Sequence, residues 1–205
     1  MVISARIGII GGNGWLGNAI AAAAVASGVV DPRALTLSGR SDSRGAVAIP
    51  GAHWTKDNAE LVRRSDVVVL SVRPEQFPAV AIDAVGKLVV SVMAAVPAHA
   101  IAARTGADRI VRALPNAAAS VGKSFTPFFA TASVSSEERR VVRALFASCG
   151  DADEVPQESH IDYCVGLTGS GAAFPALMAQ AMIEHAVARG LPLAFARRAA
   201  QGVLV

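Results

Sequence analysis

Along the chain, hydrophobic positions gather in short unbroken runs. Residues 6–10, 34–38, 66–72, 88–92 and 109–113 each hold a cluster of aliphatic side chains, the pattern of strands buried on both faces. Between these runs, residues 18–27, 57–64, 76–85 and 97–104 are helix-compatible, the first of them alanine-rich. Buried strands alternating with helices predict a parallel sheet covered on both sides. Residues 125–130 are expected to add one more strand at the edge. Ser135, with Glu138 three residues on, forms a capping box and predicts a helix to about Cys149. Residues 150–157 are polar and include Pro156, a domain boundary in this reading. Beyond it the pattern is helical throughout: 158–165, then 172–189 stopped by Gly190, then a final helix from Pro192. The expected organisation is an α/β domain over residues 1–150 and an all-helical domain beginning at 151 and running to 205.

Composition narrows the class. The chain has 205 residues, 53% hydrophobic and 17% charged, too apolar for a disordered polymer. Two cysteines, Cys149 and Cys164, exclude a disulfide scaffold and are expected to be reduced. A net charge of +3, with no basic tract, argues against a nucleic-acid partner. Residues 7–30 and 163–183 are uncharged, but glycines, asparagines or a proline break both, so no membrane span is expected. The start lacks the pattern of a secretory signal. These features lead to the expectation of a soluble, cytoplasmic protein. His53, His99, His160 and His185 have no paired spacing, so no metal site is expected. His160 and Asp162, two apart on a helix, face different ways. Ser170 lacks visible histidine and acid partners for hydrolysis.

The chemistry concentrates where the first strand turns into the first helix. Gly12, Asn13, Gly14, Trp15, Leu16 and Gly17 form G-x-G-x-x-G in that context. The first glycine is expected to permit the tight turn, the second to let the backbone approach a pyrophosphate, and the third to let helix and strand pack closely. Unpaired N–H groups at the helix start favour the anion. Trp15 is open to two roles, packing on the cofactor or sealing the helix start. The sheet domain is therefore expected to be a Rossmann-type dinucleotide-binding unit. After the second strand come Ser38, Gly39, Arg40 and Ser41, with no carboxylate before Asp42. An arginine flanked by hydroxyls suits a 2′-phosphate, favouring NADP over NAD.

Taken in order, the motifs resemble the pyrroline-5-carboxylate reductase family. Residues 7–17 are similar to its opening strand and glycine loop, with one extra residue. Ser38, Gly39, Arg40 and Ser41 resemble its phosphate-binding turn. Asp57-Asn58-Ala59-Glu60 and residues 65–74 resemble its "N-A-E…A-D-V-V-I-L-A-V-K-P" segment, with Arg73 for the lysine. Residues 91–96 are similar to "S-I-x-A-G-V", and Arg112-Ala113-Leu114-Pro115-Asn116 to "R-x-M-P-N". Glu158, Asp162 and residues 167–174 resemble "E…D…L-S-G-S-G-P-A-Y". The resemblance implies hydride transfer from NADPH to the C=N carbon of a cyclic imino acid, giving L-proline, in a homodimer or higher homo-oligomer. It implies that Thr168, Gly169, Ser170 and Gly171 bind the substrate carboxylate, with Thr168 and Ser170 as catalytic candidates. It implies that Val72, Arg73, Pro74, Met93, Ala94, Pro115 and Asn116 lie near the nicotinamide, with Asn58 also on the cofactor side.

There are departures. Thr168, Ala172 and Phe174 stand for serine, proline and tyrosine of the signature. Ala117, Ala118 and Ala119 follow Asn116 where the family has Thr-Pro, and Lys123 replaces a glutamate. The family chain continues through more helices, so the helical domain is expected to be incomplete here. Two alternatives stay open: a related NADP-dependent imine or hydroxy-acid dehydrogenase, and a non-catalytic NADP-binding relative. The hydroxy-acid branch carries a lysine on the long helix after the sheet, and residues 172–189 contain none.

Overall fold

A computed structural model describes residues 2–40, 49–171 and 173–204. Its centre is an eight-stranded sheet: β1 Ile7–Ile10, β2 Leu35–Ser38, β3 His53–Thr55, β4 Val67–Leu70, β5 Leu88–Ser91, β6 Arg109–Ala113, β7 Ser124–Ala130 and β8 Gly150–Glu154. The spatial order is β3-β2-β1-β4-β5-β6-β7-β8. Every neighbouring pair is parallel except β6 and β7. The order reverses between β1 and β4, because β1 crosses over to β2 on one side and the chain returns to β4 on the other. In open α/β sheets such a switch point opens a crevice at the carboxyl ends of the strands.

Successive side chains of a strand point to opposite faces, and here both faces are buried. Ile7 and Ile9, Val67 and Val69 face α1 Trp15–Ala26 and α4 Ser136–Ala147. Ile10, Val68 and Leu70 face α2 Asn58–Arg64 and α3 Ala98–Thr105. Helix α4 buries Val141, Val142, Leu145 and Phe146; each such side chain contributes about 1.5–3 kcal/mol when fully buried. Its start is the capping box read from sequence: Ser135 Oγ accepts the Glu138 N–H, and Glu138 accepts the Ser135 N–H. At the amino end of the sheet, Arg6 donates to Asp66 through its backbone and its guanidinium, tying the approach to β1 to that of β4.

The sheet differs from the sequence reading at both edges. The run expected to end the sheet, 125–130, is an inner strand, and β8 lies outside it. Residues 150–154, read as part of a polar boundary, form β8 because an edge strand needs only one covered face. Ala152 is buried while Asp151 and Asp153 stay in water, as charged edges do. At the other edge β3 was missed, being three residues long. Residues 76–85 are not a helix: a 3₁₀ turn, Pro74–Ala79, is interrupted by Pro78 and gives way to irregular chain.

After β8 the chain is helical: α5 Ser159–Cys164, a π turn Val165–Gly169, α6 Ala173–Ala188 and α7 Leu193–Leu204. Helix α5 rests against the sheet's carboxyl end through a small cluster of Leu114, Ile161 and Cys164. Helices α6 and α7 pack on each other. Among the described residues α6 buries none of its side chains, and Phe174, Leu177 and Met178 are exposed. No helix among the described residues is long and apolar enough to cross a membrane.

Candidate active site

The glycine turn divides its tasks differently from the sequence reading. The left-handed residue is Gly11, at φ +84°, one position before the motif, and a Cβ there would overlap the Ser71 carbonyl oxygen. Gly12 instead gives room to Leu37, whose Cδ2 would lie 2.9 Å from a Cβ. Both donate N–H groups to the Ser38 carbonyl, at 3.0 and 2.8 Å, drawing the turn onto β2. Gly17 packs as expected: its Cβ would lie 2.5 Å from Gly11 O. Gly14 is the N-cap of α1, exposed, with only Gly11 O at 3.1 Å near a built Cβ. No acidic side chain occupies the first turn of α1, so the helix start keeps its affinity for an anion. Trp15 and Leu16 open the helix; Trp15 is 58% exposed.

The turn after β2 lies alongside. Asn13 packs against Gly39, where any Cβ would overlap its side-chain amide. Ser38 is buried and its hydroxyl donates to Asn58 Oδ1 at 2.7 Å. Asn58 is therefore a brace for the end of β2 at the head of α2. Arg40 follows, exposed. Ser41 and Ala172 lie outside the described residues.

Three further strands end at the same side. Ser71 donates its N–H to Ile10 O, and Val72, Arg73 and Pro74 follow, Arg73 largely in water. After β5, Met93 is buried and donates its N–H to Ser91 Oγ at 3.2 Å, with Ala94 beside it. Ala95 then adopts φ +59°, a conformation unfavourable for any residue with a Cβ. After β6, Pro115 is buried and Asn116 caps a 3₁₀ turn by accepting the Ala118 N–H. Asn116 Nδ2 also donates to Thr168 O at 3.0 Å. That bond brings the strand ends and residues 168–171 together.

Residues 168–171 form no open loop. The π turn continues α5: Ser170 donates its N–H to Val165 O, and Thr168 Oγ1 donates to Cys164 O at 3.1 Å. Gly169 approaches Leu114, and Gly171 has no room for a Cβ because Leu167 O lies against it. Single π turns are frequent at functional sites.

Sequence reasoning missed one cluster. Arg112, 2% exposed, bonds Glu158 Oε1 at 2.9 Å and Asp162 Oδ1 at 2.7 Å. The two acids stand four apart, Glu158 at the N-cap of α5 and Asp162 one turn on, a spacing that was visible; their cation lies 46 and 50 residues upstream, which was not. His160 is uninvolved. Burial pushes both thiols, Cys149 and Cys164, above the ordinary value, so neither is a ready nucleophile. Among the described residues no three metal-ligating side chains cluster. Cavities of about 280 and 350 Å³, near Arg33 and Lys87 respectively, lie at the amino ends of the strands, away from the crevice.

Strand order, crossover and glycine turn define a doubly wound, Rossmann-type α/β protein carrying a helical extension. Residues 6–95 match the family model described as NADP oxidoreductase coenzyme F420-dependent, and residues 158–205 match pyrroline-5-carboxylate reductase dimerisation. The chain is 34% identical over 196 residues to a pyrroline-5-carboxylate reductase of Glycine max, covering 92% of this chain and 71% of that one. To the reductase of Synechocystis it is 31% identical over 204 residues, covering 97% and 76%. The solved reductase of Coxiella burnetii superposes with a TM-score of 0.91 at 29% identity, over 98% of this chain and 77% of that one. The chain belongs to the pyrroline-5-carboxylate reductase family.

Proposed function

We propose that this protein reduces the C=N bond of 1-pyrroline-5-carboxylate with NADPH, forming L-proline. The relatives bearing that name support the activity, and the residues present fit the cofactor. The exposed N-cap glycine at the head of α1, where a Cβ would stand only 3.1 Å from Gly11 O, suits close approach of a pyrophosphate to a helix N-terminus. Arg40 at the end of β2 suits a 2′-phosphate. NADPH, when bound, supplies the hydride that the imine carbon accepts while the ring nitrogen takes a proton. Ser38, Asn58, Asn13, Trp15 and Leu16 shape the adenosine and pyrophosphate side. Val72, Arg73, Pro74, Met93, Ala94, Pro115 and Asn116 line the nicotinamide side.

The observation that carries the reading is the hydrogen bond from Asn116 to Thr168, because it holds residues 168–171 against the strand ends. Ser170 offers a hydroxyl, Thr168 one that turns from Cys164 O to donate, and Gly169 and Gly171 close backbone approach, for the substrate carboxylate. Catalysis is then mostly positioning and exclusion of water. The cofactor unit is taken as residues 1–150, together with the rest of β8, and the substrate and dimerisation unit as the helices that follow. The protein is proposed to act in the cytoplasm as a homodimer, the exposed apolar side chains of α6 meeting a second copy.

The test is loss of NADPH absorbance with purified protein and pyrroline-5-carboxylate, NADH run in parallel, and L-proline assayed as product. Turnover with preference for NADPH is expected. A folded protein that binds NADPH but forms no proline would overturn the proposal.

A further inference from the structure

Among the described residues, Arg112 is the one charged side chain in the buried interior. It sits next to the last residue of β6, and its Nε has no acceptor. A buried cation with an orphaned donor is expensive, and an apolar side chain of similar size is often as stable or more so. Its two partners are far less buried: the side chains of Glu158 and Asp162 are 31% and 56% exposed. Glu158 Oε1 also accepts the Ala98 N–H at the head of α3, at 2.7 Å. Helix α5 therefore lies on the sheet's carboxyl end over a small apolar patch, its position set by charges reaching up from beneath.

That helix runs directly into the π turn bearing Thr168. Four residues after Arg112, Asn116 bonds Thr168 O. One strand end thus holds the α5–π segment at two points, Arg112 near its start and Asn116 near its finish.

We infer that Arg112 is a positioning residue, which through Glu158 and Asp162 sets how far residues 168–171 stand from the strand ends. The inference rests on the proposed function, in which those residues receive the imino acid and the strand ends receive the nicotinamide. Arg112 itself touches neither ligand. A shift of about 1 Å in such an arrangement can lower kcat/KM up to about a hundredfold, while the glycine turn across the crevice is undisturbed.

The test compares wild type, Arg112→Met, Arg112→Lys and Asp162→Asn by steady-state kinetics, NADPH titration and amide hydrogen exchange. For Arg112→Met, kcat/KM for pyrroline-5-carboxylate should fall about 10- to 100-fold, mainly through KM. NADPH affinity should stay within about twofold, on the same principle. Exchange should quicken across residues 159–171 but not in β1, β4 or β5. Arg112→Lys, which restores the charge, should recover part of the loss. A merely structural role predicts instead a smaller active fraction, unchanged KM and faster exchange throughout the sheet, and that result overturns the inference, as does an unchanged variant. If Arg112→Met fails to fold, Asp162→Asn decides: a few-fold rise in KM is expected, and none refutes it. If wild type makes no proline, the proposed function fails, and exchange alone judges whether Arg112 holds the segment.

Discussion

Gly11 and Gly14 are three residues apart in one turn, yet alanine at each should fail in a different assay. At Gly11, φ is +84° and a Cβ would overlap the Ser71 carbonyl oxygen, which is backbone and cannot rotate away. The left-handed conformation costs a residue with a Cβ about 1–2 kcal/mol, and forcing an atom into a packed site about 1–3 kcal/mol more. Gly11→Ala should therefore lose about 3 kcal/mol, a large share of a total stability of about 5–15 kcal/mol. Gly14 has φ −71° and ψ 159°, which alanine adopts freely. There the poorer N-cap, about 0.5–1 kcal/mol, and a methyl group 3.1 Å from Gly11 O are partly offset by an unfolded chain with less freedom, about 0.4–1 kcal/mol. Gly14→Ala should lose no more than about 1 kcal/mol in urea unfolding, well short of Gly11→Ala, yet its methyl group stands where the pyrophosphate is proposed to lie. Its NADPH affinity, followed by fluorescence titration, should drop at least about tenfold, or 1.4 kcal/mol. If Gly14→Ala binds NADPH like wild type, the turn does not cradle the cofactor. If Gly11→Ala is as stable as wild type, the assignment of the left-handed residue is wrong.

Other perturbations probe separate parts of the molecule. Ala95 holds φ +59°, so Ala95→Gly should relieve strain and raise stability by about 0.5–1 kcal/mol, the left-handed penalty less the added freedom of glycine; a lower urea midpoint would contradict this. Arg40→Ala should weaken NADPH at least about tenfold while leaving NADH within about threefold, as expected for a lost charge-assisted contact to phosphate; equal weakening of both would sink the 2′-phosphate assignment. The hydrogen bonds from Arg6 hold the Asp66 carboxyl at about 2, against its ordinary 3.8. A depressed acid stabilises the fold above its unfolded value and loses that contribution as pH falls, here between about pH 4 and 2. The pair is half exposed, so the effect is below about 1 kcal/mol. Asp66→Asn should flatten the fall in urea midpoint across that interval, and an unchanged slope would show that the pair is not coupled to folding.

The buried strands were legible because a strand covered on both faces must be apolar at every position, and 67–70 is Val-Val-Val-Leu. Helix α4 was legible because a capping box is a local device, complete within four residues. β8 was not, since Gly-Asp-Ala-Asp-Glu carries little strand preference and pairs only because β7 offers an open edge. The glycine motif pointed to the right turn, while the left-handed residue, Gly11, lies one position before it, packed against Ser71 just past the end of a neighbouring strand. Residues 168–171 stood out in the sequence, whereas their π geometry depends on how α5 is seated.

By itself, then, the sequence determined what depends on neighbours along the chain: which continuously apolar segments are buried strands, where a capped helix can begin, and where glycines let the backbone turn tightly. Tertiary structure alone decided whatever depends on residues far apart in sequence. Arg112 finds its acids only when α5 lies across the carboxyl end of β6, and Asn116 reaches Thr168 only in that same arrangement. Hydrogen bonds and ion pairs act over a few ångströms, and chain separation carries no record of which distant groups folding will bring that close.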